Sequence, residues 1–225
     1  MECWNCQSRQ KGFFCDKCDR IQLMSEETDF FSCLGLDRKL NIDPSQAESQ
    51  FHALSRKFHP DYFQDKSSRE REISQDNASF INKAYRTLRD PVTRVEYLIR
   101  IERGSNGPVR AEAPPDLLEE VLELREKLEE TELLKKGNDP SRLENAREGI
   151  KRELENLNQR LEAFQARFQN LSDEWDRLQD RARKGGSDGL EMTAKKGKVL
   201  EEFSKVLSHR TYLLNLVSEI RKVLE

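Results

Sequence analysis

Apolar residues along this chain recur mostly at helical spacing, in stripes separated by short polar or proline-containing stretches. Asp29-Phe30-Phe31-Ser32-Cys33-Leu34-Gly35-Leu36 predicts a short helix ended by Gly35. Asp43 is placed to cap the next helix, with Pro44 at its first position and Gln46 set for a capping box. Ala47, Phe51, Leu54 and Phe58 draw one stripe on it. The helix must stop at His59-Pro60-Asp61, because Pro60 lacks an amide and pushes His59 out of helical geometry. A polar stretch from Gln64 to about Gln75 precedes a second striped helix through Ala78, Ile81, Tyr85 and Leu88, and Asp90-Pro91 opens another through Val95, Leu98 and Ile101.

Residues 102–115 contain two glycines and three prolines with little apolar material, which reads as a linker. Beyond it lies a three-helix pattern. Leu117, Val121, Leu124 and Leu128 form the first stripe. After Asp139-Pro140, the second runs from Leu143 through Ile150, Leu157, Phe164 and Phe168 to Leu171, with Ser172 capping a short extension that carries Trp175 and Leu178. A Gly-rich turn at 184–189 precedes the third, formed by Val199, Phe203, Val206, Leu213, Val217, Ile220 and Leu224 and interrupted by Arg210. Short breaks favour an elongated antiparallel bundle within one chain, and hence a monomer, over the alternative of a coiled-coil dimer.

Composition narrows the function. Hydrophobic residues are 35% of the chain and charged residues 36%, with no apolar run approaching the roughly 20 residues of a membrane span. Runs of Val and Ile expected of buried parallel strands are absent, so the fold class is all-α. Net charge is -3, without the basic footprint of a nucleic-acid binder. No secretory or transit-peptide pattern opens the chain, so a reducing bacterial cytoplasm is expected, or the mitochondrial matrix had a presequence been removed.

Four of the five cysteines form two pairs, Cys3-Trp4-Asn5-Cys6 and Cys15-Asp16-Lys17-Cys18. Two residues between ligands let each pair reach one ion, and the short loop brings the pairs together. A single zinc ion held structurally by Cys3, Cys6, Cys15 and Cys18 is preferred over iron and over a redox role, in a small module of residues 1–24 covered by Trp4, Phe13 and Phe14. Cysteine-to-serine changes there are expected to unfold that module alone. Cys33 reads as a buried apolar residue.

A striped helix, the His-Pro-Asp triplet, a polar loop and a second striped helix resemble a J domain over residues 28–101, carried by DFFSCLGL, FHALSRKFHPDYF and NKAYRTLRDP. The resemblance implies a helical hairpin that docks on DnaK-type ATPase chaperones and stimulates their ATP hydrolysis. It further implies that His59, Pro60 and Asp61 make the contact, with Arg56 and Lys57 facing an acidic chaperone surface. Tyr62 after the triplet and a helix rich in Ser, Gln and Glu point to a dedicated chaperone.

Cysteine pairs at the front, Tyr62-Phe63 after the triplet, Thr93-Arg94-Val95-Glu96-Tyr97-Leu98-Ile99 and LLEEVLELREKLEE together are similar to the HscB family. That resemblance implies an iron–sulfur cluster co-chaperone, not itself an enzyme, that delivers an IscU-type scaffold protein to a DnaK/HscA-type chaperone. Residues 180–200 read as an insertion lengthening the bundle of residues 116–225. Beside the core stripe of the bundle's first helix runs a second row, Leu118, Leu122, Glu126 and Glu130, flanked by Glu119 and Glu123. Such a row is either a broad core contact or a partner surface. The resemblance assigns Leu118, Leu122, Glu123, Glu126, Glu130 and Tyr212 to scaffold binding. The competing readings are a general J protein whose zinc knuckles grip other clients, and a thiol oxidoreductase using its cysteine pairs.

Overall fold

The computed structural model describes residues 2–9, 12–24, 28–104, 109, 115–137, 139–184 and 189–225. Regular structure among them is helical, apart from single antiparallel bridges at Glu2–Arg9 and Phe14–Ile21. The chain divides into two compact units, Met1–Ser105 and Asn106–Glu225. None of the helices is long and apolar enough to cross a membrane, among the described residues.

In the first unit, helix α1 (Phe30–Cys33) is capped by Asp29, whose carboxylate accepts from the Ser32 amide, and is followed by Gly35 at φ +61°. Helix α2 (Pro44–Lys57) begins at Asp43, which accepts from the Ser45 amide and hydroxyl. Helix α3 (Ser68–Arg89) starts well before the expected polar stretch ends. The reason is local: Ser67 and Glu70 form a reciprocal capping box, so the S-x-x-E signature nucleates the helix inside a hydrophilic segment. Asp90, accepting from the Thr93 amide, caps helix α4 (Pro91–Arg103).

Helix α3 is central, packing against α1, α2 and α4. Phe51 of α2 stacks on Tyr85 at 4.2 Å, and Phe30 of α1 stacks on Tyr97 of α4 at 4.2 Å. The buried face of α3 is rotated from the expected stripe. Beyond the buried capping residue Glu70 it consists of Ile73, Ser74, Asn77, Ile81, Ala84 and Leu88, while Ala78 and Tyr85 are only half-buried. Two polar residues belong on that face because they bond to backbone groups of neighbouring segments.

The cysteine segment packs on the same helices. Phe13 and Phe14 lie against Phe58, the residue after α2, with ring centroids 5.6 Å away in each case. They therefore seal a junction with the helices, where the sequence suggested a cover for the module alone. Arg20 pairs with Glu70 of α3 at 2.5 Å, and Asn77 bonds both the Gln22 carbonyl and the Met24 amide at 2.9 Å.

The second unit contains α5 (Pro115–Lys136), α6 (Pro140–Arg183, capped by Asp139) and α7 (Gly189–Leu224). Ion pairs Glu120–Arg160 and Lys127–Glu153 step in opposite senses along α5 and α6, and Arg167–Glu202 with Gln179–Lys196 do so along α6 and α7. Both pairings are therefore antiparallel. One core joins Leu124, Leu128, Ile150, Leu157, Leu213, Leu216, Val217, Ile220 and Val223. At 1.5 Å per residue, the 44 residues of α6 reach about 66 Å and the 22 of α5 about 33 Å. The distal half of the α6/α7 hairpin thus closes on its own side chains, with Trp175 fully buried and Phe168 edge-on to Phe203 at 5.4 Å.

Helix α6 is continuous through Ser172. Its hydroxyl donates to the Phe168 carbonyl four residues back, so the expected cap is instead a buried serine inside the helix. Arg210, which interrupts the third stripe, places its guanidinium 5.6 Å from the Phe164 ring. The described parts of 180–200 continue α6 and begin α7, where Lys196 sits 5.3 Å over Trp175. Residues 185–188 of the expected turn lie outside the described residues.

Candidate functional site

Each cysteine pair is shaped by the same backbone device. Cys3 N donates to Ser8 O and accepts at its carbonyl from Gln7 N; Cys15 repeats this with Arg20 O and Asp19 N. Gln7 and Asp19 both adopt left-handed φ, 58° and 55°, which turns each knuckle back beneath its sulfurs. The four Sγ atoms lie within 4.8 Å of one another, with Cys3–Cys18 and Cys6–Cys15 at 3.6 Å. A tetrahedral thiolate site with bonds of about 2.3 Å holds its sulfurs roughly 3.8 Å apart, so the residues fit a metal ion.

Electrostatics agree with that chemistry. The Ser8 hydroxyl, 3.1 Å from Cys6 and 3.3 Å from Cys15, lowers both thiols, Cys15 to about 6. The backbone hydrogen bond from Arg20 lowers Cys18, yet desolvation and the neighbouring Cys6 and Cys15 together push it up to about 11. Crowded thiols ionise in sequence, the last against the charge of the others, and a bound cation removes that conflict. Amide and side-chain donors already face the sulfurs: Asn5 N at 3.4 Å and Gln22 Nε2 at 3.3 Å, both to Cys3 Sγ. Cys33 is elsewhere, buried, its thiol pushed up to about 12 by desolvation.

The His-Pro-Asp triplet forms the junction between α2 and a single 3-10 turn, Pro60–Phe63. His59 caps that turn: its Nδ1 accepts from the Asp61 amide at 3.3 Å and lies 3.5 Å from Asp61 Oδ2. Gln64 Nε2 donates to Asp61 Oδ1 at 3.3 Å, and Tyr62 N to His59 O at 3.0 Å. Phe63 is buried, while Asp61 and Tyr62 are exposed. Beneath the triplet lies a depression of about 310 Å³ lined by His52, Ser55, Arg56, His59, Asp61 and Tyr62. Arg56 belongs to this group. Lys57 is outside that lining, its Nζ 4.9 Å over the Phe14 ring.

On α5, Leu117, Leu124 and Leu128 face the core, whereas Leu118 and Leu122 are 60% and 55% exposed. Glu123, Glu126 and Glu130 are exposed beside them. Among the described residues the second row is therefore a surface and not a broad core contact. Tyr212 on α7 is half-buried, and no hydrogen bond or ring contact joins it to the α5 row among the described residues. Sequence reasoning passed over Phe13, Phe14, Arg20, Gln22, Glu70 and Asn77 as a connecting set. The capping-box spacing of Ser67 and Glu70 was the one local signal available.

Comparison with known proteins places these features. The DnaJ domain matches residues 29–97, and the HSCB C-terminal oligomerisation domain matches residues 113–184. The Co-chaperone protein HscB homolog of Vibrio atlanticus is 35% identical over 156 residues, covering 68% of this chain and 86% of that protein. The chain belongs to the HscB family. Among HscB relatives, the human Iron-sulfur cluster co-chaperone protein HscB is 33% identical over 137 residues, covering 58% of each chain. The Arabidopsis thaliana homologue is 32% identical over 130 residues, covering 58% of this chain, so the chain spans about half to three fifths of the length of these relatives. The crystal structure of human HscB superposes with a TM-score of 0.60 at 23% identity, covering 99% of this chain and 98% of that one, which establishes a shared all-helical fold.

Proposed function

We propose that this chain is an adaptor in iron–sulfur cluster assembly. Its C-terminal bundle, from about residue 116, binds an IscU-type scaffold protein through Leu118, Leu122, Glu123, Glu126, Glu130 and Tyr212. Its J domain, about residues 28–101, brings that cargo to a DnaK/HscA-type chaperone and stimulates the chaperone's ATPase through His59, Pro60 and Asp61, with Arg56 and Lys57 alongside. The chemistry of ATP hydrolysis belongs to the partner.

The single observation that carries this reading is an exposed Asp61 on a turn whose neighbours are fixed, in a chain that also displays Leu118 and Leu122 to solvent. Pro60 and the buried Phe63 pre-set the turn, so little ordering cost remains when a partner cation meets the Asp61 carboxylate. Exposed leucines ringed by carboxylates suit a partner surface that is apolar with a basic rim. The four thiols suit one zinc ion in a closed structural site, which supplies folding energy to residues 1–24.

The test is a calorimetric titration against the scaffold protein beside a Leu118→Ser/Leu122→Ser double variant. Micromolar binding that is lost in the variant is expected. Equal affinity of both would remove the α5 surface from the reading and favour a J protein that serves other clients.

A further inference from the structure

The His-Pro-Asp loop is held at both ends by the cysteine segment. At its start, Phe58 is completely buried, with the Phe14 ring stacked on it (21° between planes) and Phe13 edge-on. The Phe58 carbonyl also accepts from Ser74 of α3 at 2.9 Å. At the loop's far end, Glu70 caps α3 through Ser67, and the same carboxylate takes the Arg20 guanidinium from just behind the second knuckle. A third tie runs through Gln22, whose side chain reaches Cys3 Sγ while its carbonyl accepts from Asn77 of α3. The knuckles bury Cys3 and Cys15 beside Ile21, Gln22 and Met24, too little apolar surface to order them without thiolate ligation. Whatever orders the four sulfurs therefore also fixes Phe13, Phe14 and Arg20.

The geometry points to a bracing role: metal occupancy of the tetracysteine site sets the order of the chaperone-docking loop, and Phe13, Phe14 and Arg20 are positioning residues for His59-Pro60-Asp61. Its consequence for a chaperone rests on the docking reading above, but the brace itself is a property of this chain alone. Losing the ion releases the contacts on Phe58 and on Glu70 together, so the loop loosens while α3 and α4 keep their packing.

Amide hydrogen exchange on the full chain, zinc-loaded and after chelation, tests this. The Tyr62 amide, bonded to His59 O, and the Lys66 amide, bonded to Phe63 O, report the loop. Their protection should fall about tenfold on chelation, the scale of losing two aromatic contacts, with amides of α6 and α7 unchanged. Phe14→Ala and Arg20→Met, each verified by metal analysis to retain one zinc, should loosen the same two amides. Asp16→Asn, exposed in the same module, should not. Equal loop protection in loaded and chelated protein would overturn the brace, as would loss spread uniformly through α3 and α4. Affinity for an ATP-bound DnaK-class chaperone, measured on the same samples, should fall in parallel. A loosened loop with unchanged affinity would leave the brace standing and contradict the docking role of the triplet.

Discussion

Replacing Asn77 by alanine should damage the first unit far more than an amide on a helix surface would. Asn77 is fully buried on α3, where its Nδ2 donates to Gln22 O and its Oδ1 accepts from Met24 N, each at 2.9 Å. Gln22 and Met24 are themselves buried, so alanine leaves one carbonyl and one amide away from water without partners. Each such group costs about 1–3 kcal/mol, giving a loss of roughly 2–6 kcal/mol. Asn77→Asp retains the acceptor but turns a carboxylate toward the Gln22 carbonyl, and should lose at least as much. The chain's two tryptophans make the measurement separable, since Trp4 lies in the first unit and Trp175 in the second. Urea unfolding followed by Trp4 fluorescence in a Trp175→Phe background reports the first unit; Trp175 in a Trp4→Phe background reports the bundle. The Trp4 transition should move and the Trp175 transition should stay. A loss below about 0.5 kcal/mol in the first unit would refute the claim that Asn77 ties the cysteine segment to α3.

Three further outcomes follow from the same geometry. The Arg20 hydrogen bond holds the Glu70 carboxyl below its ordinary value of 4.5, so this pair stabilises the fold above about pH 4.5 and its contribution disappears as pH falls through the lowered value; Glu70→Gln should flatten that acid limb in pH-dependent denaturation. Trp175→Ala should cost the bundle about 3–5 kcal/mol by thermal melting under circular dichroism, leaving the Trp4 transition in place. Leu118→Ser and Leu122→Ser, both at exposed positions, should change stability by less than about 0.5 kcal/mol while each weakens scaffold binding by about 1–2 kcal/mol in calorimetry.

Much of the helical frame was legible because it rests on local rules. Three Asp-Pro pairs, at 43–44, 90–91 and 139–140, open three helices by the same cap and first-turn proline. The cysteine spacing likewise predicted the cluster of sulfurs, since ligation geometry is set within each knuckle. What escaped was tertiary. The pattern of α3 hid Ser74 and Asn77, because hydropathy gives no credit to a polar side chain whose partners are backbone groups distant in sequence. Phe13 and Phe14 read as a local cover because only the fold brings Phe58 to them. Ser172 read as a cap because a serine bonding four residues back looks identical in sequence to one that starts a helix. The exposed row on α5 was visible as a second stripe, but only the fold shows that Leu118 and Leu122 face solvent.

The most direct test of the adaptor role is single-turnover ATP hydrolysis by a DnaK/HscA-type chaperone, with this protein and the scaffold added separately and together. Stimulation by the wild-type chain is expected to rise further with scaffold, to vanish with Asp61→Asn, and to lose only the scaffold-dependent part with Leu118→Ser/Leu122→Ser. Undiminished stimulation by Asp61→Asn would contradict the docking assignment at its centre.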